Sequence, residues 1–327
     1  MDNVSTYIIV SNTITSNNSC SKDETAKIEK VPKLVMFSVF VVLSVGVVCL
    51  NVILIAKLNR RHKYKVFTRF FLTSMAAVDL IVGLTVMPFN IANEFTDVKH
   101  LFGSRTCSLM NSADVMLTSS SIIHLSILTF ERYVALCKPF SYLRICRRRN
   151  MIFLFLMCWL VVTTVSFGFI MPGLHHYGIE EQIVRCTVYL ADKCIFIVNV
   201  YYDMLCSTLT FFIPGFLILC FNLKVLKHVR HESTKKKCVL NVASPHSRKS
   251  GYNSQNIHIA RTIAVLTGCF FICWLPFFVV CKLVIFSYYN IPYIVEIVVL
   301  WLGYGNSAMN PLMYILLESK QSCIGKR

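Results

Sequence analysis

Charge is scarce in this chain of 327 residues, at 15% of positions, and acid is scarcer still, with 16 Asp and Glu against 33 Lys and Arg. Charged residues average about 25% of a soluble domain, so 55% hydrophobic content and a mean hydropathy of +0.61 exclude that class. Internal repeats are lacking, and so is a Gly-rich phosphate loop. The His residues are scattered: His124 has no partner at metal-ligand spacing, and the adjacent His175 and His176 are a weak metal signal. With no catalytic constellation, the chain does not read as an enzyme. Residues 1–33 have no apolar core of signal-peptide type, so the first apolar span is expected to serve as the targeting signal.

What the chain has instead is seven apolar stretches, at about 34–56, 70–93, 106–130, 150–172, 197–223, 262–281 and 297–317, each long enough to span a bilayer. The expectation is an all-α membrane protein, a seven-transmembrane helix bundle. The net charge of +17 suggests nucleic acid only until its distribution is seen: 24 of the 33 basic residues fall around 57–69, 132–149, 224–261 and 318–327. The positive-inside rule makes those segments cytosolic. The chain thus divides into an extracellular tail (1–33), a membrane domain (34–317) with a long cytosolic loop at about 224–261, and a short cytosolic tail (318–327). Membrane lipid is the expected surrounding, and nucleic acid is not a partner. Four cysteines, Cys20, Cys107, Cys186 and Cys194, lie on the outer side, enough for two disulfides in any of three pairings. The sequons at Asn3 and Asn17 are glycosylation candidates.

The third stretch organises the rest. From Asp114 to Arg132 is 18 residues, five turns or roughly 27 Å of helix, so one face carries an acid at the outer end and a base at the inner end. Thr118, Ser121, Leu125 and Leu128 continue that stripe. Asp79, alone in the second stretch, must face the bundle, either as a hydrogen-bond anchor or as an ion or proton site. Pro88, Pro214 and Pro276 are expected to bend their helices, and Asn306, Ser307 and Asn310 before Pro311 suggest a buried water network. In the fifth stretch Asp203, Cys206, Ser207 and Thr210 fall on one face, so Asp203 is either a second cation anchor, from which a preference for a ligand with two cationic groups is expected, or the partner of Lys193 or Lys282. Glu296 adds negative potential near the outer end of the seventh. Two classes fit intramembrane acids: a transporter of cationic solutes, and a receptor. Seven non-repeating spans favour the receptor.

Glu131-Arg132-Tyr133, the CWLP of 273–276 and the NPLMY of 310–314, with Asn51, Asp79, Trp159 and Pro214, supply one motif position per helix. Over residues 34–316 the chain resembles the rhodopsin-like (class A) G-protein-coupled receptors. The spacing from Cys107 to Asp114, with Trp301 and Tyr304, is similar to the aminergic type, and DVMLTSSSIIHL and ICWLPFF resemble the trace amine-associated receptors. A class A receptor for a non-amine ligand is the alternative.

The resemblance implies a plasma-membrane protein with its N-terminus outside, binding a small-molecule amine and a heterotrimeric G protein. Asp114 would be the ammonium's counter-ion, supported by Tyr304, with Val115, Thr118, Asp203, Cys206, Ser207, Thr210, Trp274, Phe277, Phe278 and Trp301 around the ligand. Disulfides Cys107–Cys194 and Cys20–Cys186 are implied. So is a sodium pocket at Asp79, Ser121, Asn306 and Ser307, with no other cofactor. Ile122, Pro214 and Phe270 would form a packing switch, with Glu131, Arg132, Tyr133, Pro276, Asn310, Pro311 and Tyr314 serving activation. Three places depart from the family: Asn222 replaces a Tyr, Asn256 replaces an acid that pairs with the motif Arg, and ILLESKQSC follows NPLMY.

Overall fold

All seven apolar stretches contain helix in the computed structural model, which describes residues 33–60, 65–96, 98–179, 194, 196–242, 265, 267–283 and 291–324. We label the helices α1 (Lys33–Arg60), α2 (Val66–Phe95), α3 (Gly103–Cys137), α4 (Arg148–Ile170), α5 (Val200–His231), α6 (Thr267–Leu283) and α7 (Tyr293–Ile324). In hydrocarbon every backbone N–H and C=O must bond within its own segment, which selects helix for such sequences. By length and composition α1 to α5 are each able to cross a membrane, and α6 is a shorter apolar helix.

Several helices outrun the expected spans. α3 continues to Cys137, and the helix that contains α5 runs on past His231 to Val242, because the backbone ladder persists where charged residues replace apolar ones along the chain. At the outer end of α3 the helical run is interrupted at Gly103, whose φ of 76° is a conformation that side-chain-bearing residues rarely adopt.

Two of the bends expected at proline take the form of wide π turns. Val82–Val86 precedes Pro88 and Thr208–Phe212 precedes Pro214. A proline removes one backbone bond and crowds the carbonyl one turn back, and a widened turn relieves both. Asp203 and Ser207 keep their straight-helix relation in α5, but Thr210 lies within the wide turn and departs from that register.

Among α1 to α5, α3 is the most buried and packs on α2, α4 and α5, whereas α1 and α4 are the least buried. One core cluster joins α2, α3, α5 and α6 around Phe71, Ile122, Phe211, Phe270 and Trp274, and a second joins α1, α2, α3 and α7 around Val47, Val82, Met87 and Tyr304. Large apolar side chains such as Leu34, Val42, Phe153, Leu160 and Phe216 remain exposed on the outer faces, the surface that lipid covers. The expectations at Asn3, Asn17, Cys20, Cys186, Lys193 and Asn256 fall outside the described residues.

Candidate functional site

At the outer end, the disulfide Cys107–Cys194 ties the loop before α5 to α3, with Cα atoms 5.5 Å apart. Asn93 of α2 clamps the same loop twice, donating to the Cys194 carbonyl at 3.1 Å and accepting from its N–H at 2.7 Å. Asn199 caps α5 by accepting from Tyr202 N–H at 2.7 Å, while its amide donates to Leu174 and Tyr177 carbonyls. Next to it, buried His175 stacks on Phe196 and its Nε2 lies 3.2 Å from His176 Nδ1. Burial first, and the neighbouring His176 second, push His175 from the ordinary 6.5 down to about 4. The described residues hold no cluster of three or more metal-ligating side chains.

Below the loop the side chains converge on Asp114. Tyr304 of α7 donates to the Asp114 carboxylate at 2.5 Å, and Asn90 of α2 donates to the Tyr304 hydroxyl at 2.8 Å. Three helices therefore hold one half-buried carboxylate in place. Asn90 lies outside the recognised motifs, and no signal in the sequence marks it. Trp301 meets the Tyr304 ring edge-on at 5.5 Å and stacks one face on Phe40 of α1 at 3.9 Å, which braces Tyr304.

Next to Asp114, Val115 joins an apolar cluster that includes Tyr202 and Cys206 of α5. Asp203 is ion-paired with Lys282 of α6, which also donates to the Ser207 hydroxyl at 2.7 Å. Tyr201, by contrast, is exposed. Thr118 donates to the Asp114 backbone carbonyl at 2.6 Å. The floor is aromatic: Phe278 stacks on Phe211 at 4.1 Å, with Phe277 edge-on to Phe278 and Trp274 beneath both. Gly303 makes room for Trp274, since a Cβ there would come within 3.0 Å of the indole.

Midway through the bundle, Ser307 donates to Asp79 at 2.8 Å and Asn310 at 3.5 Å, and Asn306 is buried nearby in sequence. The Ser121 hydroxyl is buried without a hydrogen-bond partner. Asn51 ties α1 to α7 through the Ser307 carbonyl at 3.1 Å. His124 Nδ1 lies 2.6 Å from the Ser120 carbonyl, which only accepts, so the ring proton sits on Nδ1 and Nε2 takes the Ser74 hydroxyl at 2.9 Å. His124, without a metal partner in the sequence, is a polar joint between α2 and α3.

Farther along the bundle from Asp114, Ile122 and Phe270 are fully packed in one cluster, and Pro214 is buried as well. Arg132, Asn222, Thr267 and Tyr314 line a small cavity between α3, α5, α6 and α7. Glu131 does not serve Arg132 as an ion-pair partner: its carboxylate accepts from the Tyr142 hydroxyl at 2.8 Å, and Lys65 lies 3.5 Å from the centre of the Tyr142 ring. The motif offers no hint of that competition, because Tyr142 arrives from the loop after α3. Asn222, the departure in α5, donates to Thr267 of α6 at 2.5 Å. Tyr133 stacks on Phe221 at 5.3 Å.

A bundle of apolar helices with a braced carboxylate at one end and an Arg-lined cavity at the other has the layout of a membrane receptor. Residues 50–314 match the family described as 7 transmembrane receptor (rhodopsin family), and the chain belongs to it. The 5-hydroxytryptamine receptor 4 of Homo sapiens is 31% identical over 319 residues, covering 92% of this chain and 80% of its own length. The octopamine receptor beta-2R of Chilo suppressalis is 31% identical, covering 81% and 71% respectively. The trace amine-associated receptor 1 of Macaca mulatta is 29% identical, covering 81% and 78%.

Proposed function

We propose that this chain is a receptor for an extracellular amine, held at the plasma membrane with its N-terminal tail outside and its C-terminal tail in the cytosol. The observation that carries the reading is the Asp114 carboxylate, half-buried and oriented by Tyr304 and Asn90. A buried carboxylate is costly without a counter-charge, and a ligand ammonium supplies one with charge-assisted hydrogen bonds. Relatives named for 5-hydroxytryptamine, octopamine and trace amines support the same chemistry. The trace-amine type is the narrower proposal, supported by the residues 114–125 and 272–278.

Binding works by shifting an existing equilibrium. Taking a state from 1% to 99% requires a preference of about 5.5 kcal/mol, more than one ammonium contact delivers, so the ligand must also touch helices that move. Trp274, Phe277 and Phe278 on α6 are those contacts, and outward motion of α6 would part Asn222 from Thr267 and admit a G protein beside Arg132. The oxygen donors Asp79, Ser121, Asn306 and Ser307 fit a sodium ion, the partnerless Ser121 hydroxyl being the clearest sign. When bound, sodium supplies the positive charge that lets Asp79 stay ionised within the membrane.

The test is a second-messenger screen of cells expressing the chain against biogenic and trace monoamines, alongside Asp114→Asn. An amine response lost in the variant at equal surface expression supports the reading. Responses that persist without the Asp114 charge overturn it.

A further inference from the structure

The far wall of the site is not built from free hydroxyls. Ser207 donates its proton to the Asp203 carbonyl at 2.6 Å, and Thr210 donates to the Cys206 carbonyl at 2.8 Å. Both side chains are almost wholly buried, so neither keeps a donor for a ligand. What faces inward is Lys282. Its ammonium pairs with the Asp203 carboxylate and donates to Ser207 Oγ at 2.7 Å, while a third contact, to the Asp203 carbonyl, is long at 3.5 Å. One of three N–H donors is therefore poorly used.

The pair stands at the level of Asp114. Val115, next to Asp114 in α3, belongs to the same apolar cluster as Tyr202 and Cys206, which lie on either side of Asp203 in sequence, and packed helices lie about 8–10 Å apart. The Lys282 and Asp203 side chains keep 18% and 11% exposure, so the pair is not wholly sealed within the packing.

We propose that Lys282 sets the ligand class: an amine with a single cation whose opposite end carries a hydrogen-bond acceptor, a second cation being excluded. The inference rests on the reading of Asp114 as the ammonium site. Asp203 is not available as a second anchor, because a diamine would have to displace Lys282 and strand a half-buried ammonium, or sit beside it against like-charge repulsion. A hydroxyl, carbonyl or carboxylate oxygen meets neither obstacle. It accepts the spare Lys282 proton and leaves the ion pair whole.

Three matched probes decide the question: phenethylamine, its 4-hydroxy derivative and its 4-aminomethyl derivative. Each is titrated against the purified full-length receptor, and apparent affinity is read from ligand-induced thermal stabilisation, which needs no knowledge of the coupling partner. In wild type the 4-hydroxy amine should bind roughly tenfold or more tighter than phenethylamine, and the dication weakest. Lys282→Met should erase the hydroxyl gain and strengthen the dication by freeing Asp203. Adding Asp203→Asn to that variant should remove the new diamine affinity, and Lys282→Arg should keep the wild-type order. If Lys282→Met does not reach the membrane, Lys282→Gln makes the same comparison.

A wild type that prefers the dication, or a hydroxyl preference unchanged without the Lys282 charge, overturns the assignment of Lys282. No stabilisation of wild type by any probe, or stabilisation that survives Asp114→Ala, overturns the amine reading beneath it instead.

Discussion

Tyr304 donates to Asp114 across 190 positions of sequence, at 2.5 Å, while its own oxygen accepts from Asn90. The relay fixes the carboxylate before any ligand arrives, which lowers the ordering cost of binding. Asp114→Ala should cost an amine ligand about 2–5 kcal/mol, the range for breaking a buried charge pair. Tyr304→Phe should cost less, roughly 1–2 kcal/mol, since the charge remains but its orientation is lost. Concentration–response curves at matched surface expression check both; a shift under tenfold for Asp114→Ala contradicts the assignment.

The Asn222–Thr267 contact links α5 to α6 beside the Arg132 cavity. Asn222 Oδ1 already lacks a partner, so Thr267→Val should leave the buried amide with none and cost about 1–3 kcal/mol. Asn222→Leu with Thr267→Val should recover much of that loss, because no orphaned polar group remains. Thermal midpoints of the purified receptor decide it, and strictly additive losses would show that the contact is not coupled.

His175 gives the outer turn a pH dependence of definite sign. Its folded value, about 4, lies below the ordinary 6.5, so between those limits the unfolded chain binds a proton that the folded chain refuses. Stability contributed by neutral His175 is complete above about 6.5 and is lost as pH falls toward 4. His175→Phe should flatten the fall in thermal midpoint across that window. His176, also pushed down by burial, keeps part of the slope, and an unchanged slope would refute the role of His175.

A second tether from the N-terminal tail is expected at Cys20–Cys186, beside Cys107–Cys194. Peptide mapping under non-reducing conditions should recover both cross-linked pairs. Recovery of Cys20 as a free thiol would leave the outer loop tied by Cys107–Cys194 and Asn93 alone.

Much of the molecule was legible without coordinates because membrane helices are selected locally. A run of apolar residues must bond its own backbone in lipid, so the number and order of the helices followed from composition, while the basic loops set the direction expected for them. Spacing along one helix did the rest, placing Asp114 and Arg132 on a single face of α3. The motifs carried the family, and the match over 50–314 agrees with them.

Partnership between helices is a different matter, since it depends on the rotation and depth of each helix against its neighbours. Periodicity put Asp203 on one face of α5 with Lys193 and Lys282 as alternative partners; packing of α6 on α5 brought it Lys282, 79 residues away. The wide turns before Pro88 and Pro214 altered the register that a uniform helix would have kept. Packing likewise turned the face of Trp301 to Phe40, brought Tyr142 to Glu131 and delivered Asn90 to Tyr304. Sequence determined where the charges lie along each helix, and only the tertiary structure determined which of them meet, because a few tens of degrees of helix rotation separate a partner from a lipid-facing side chain.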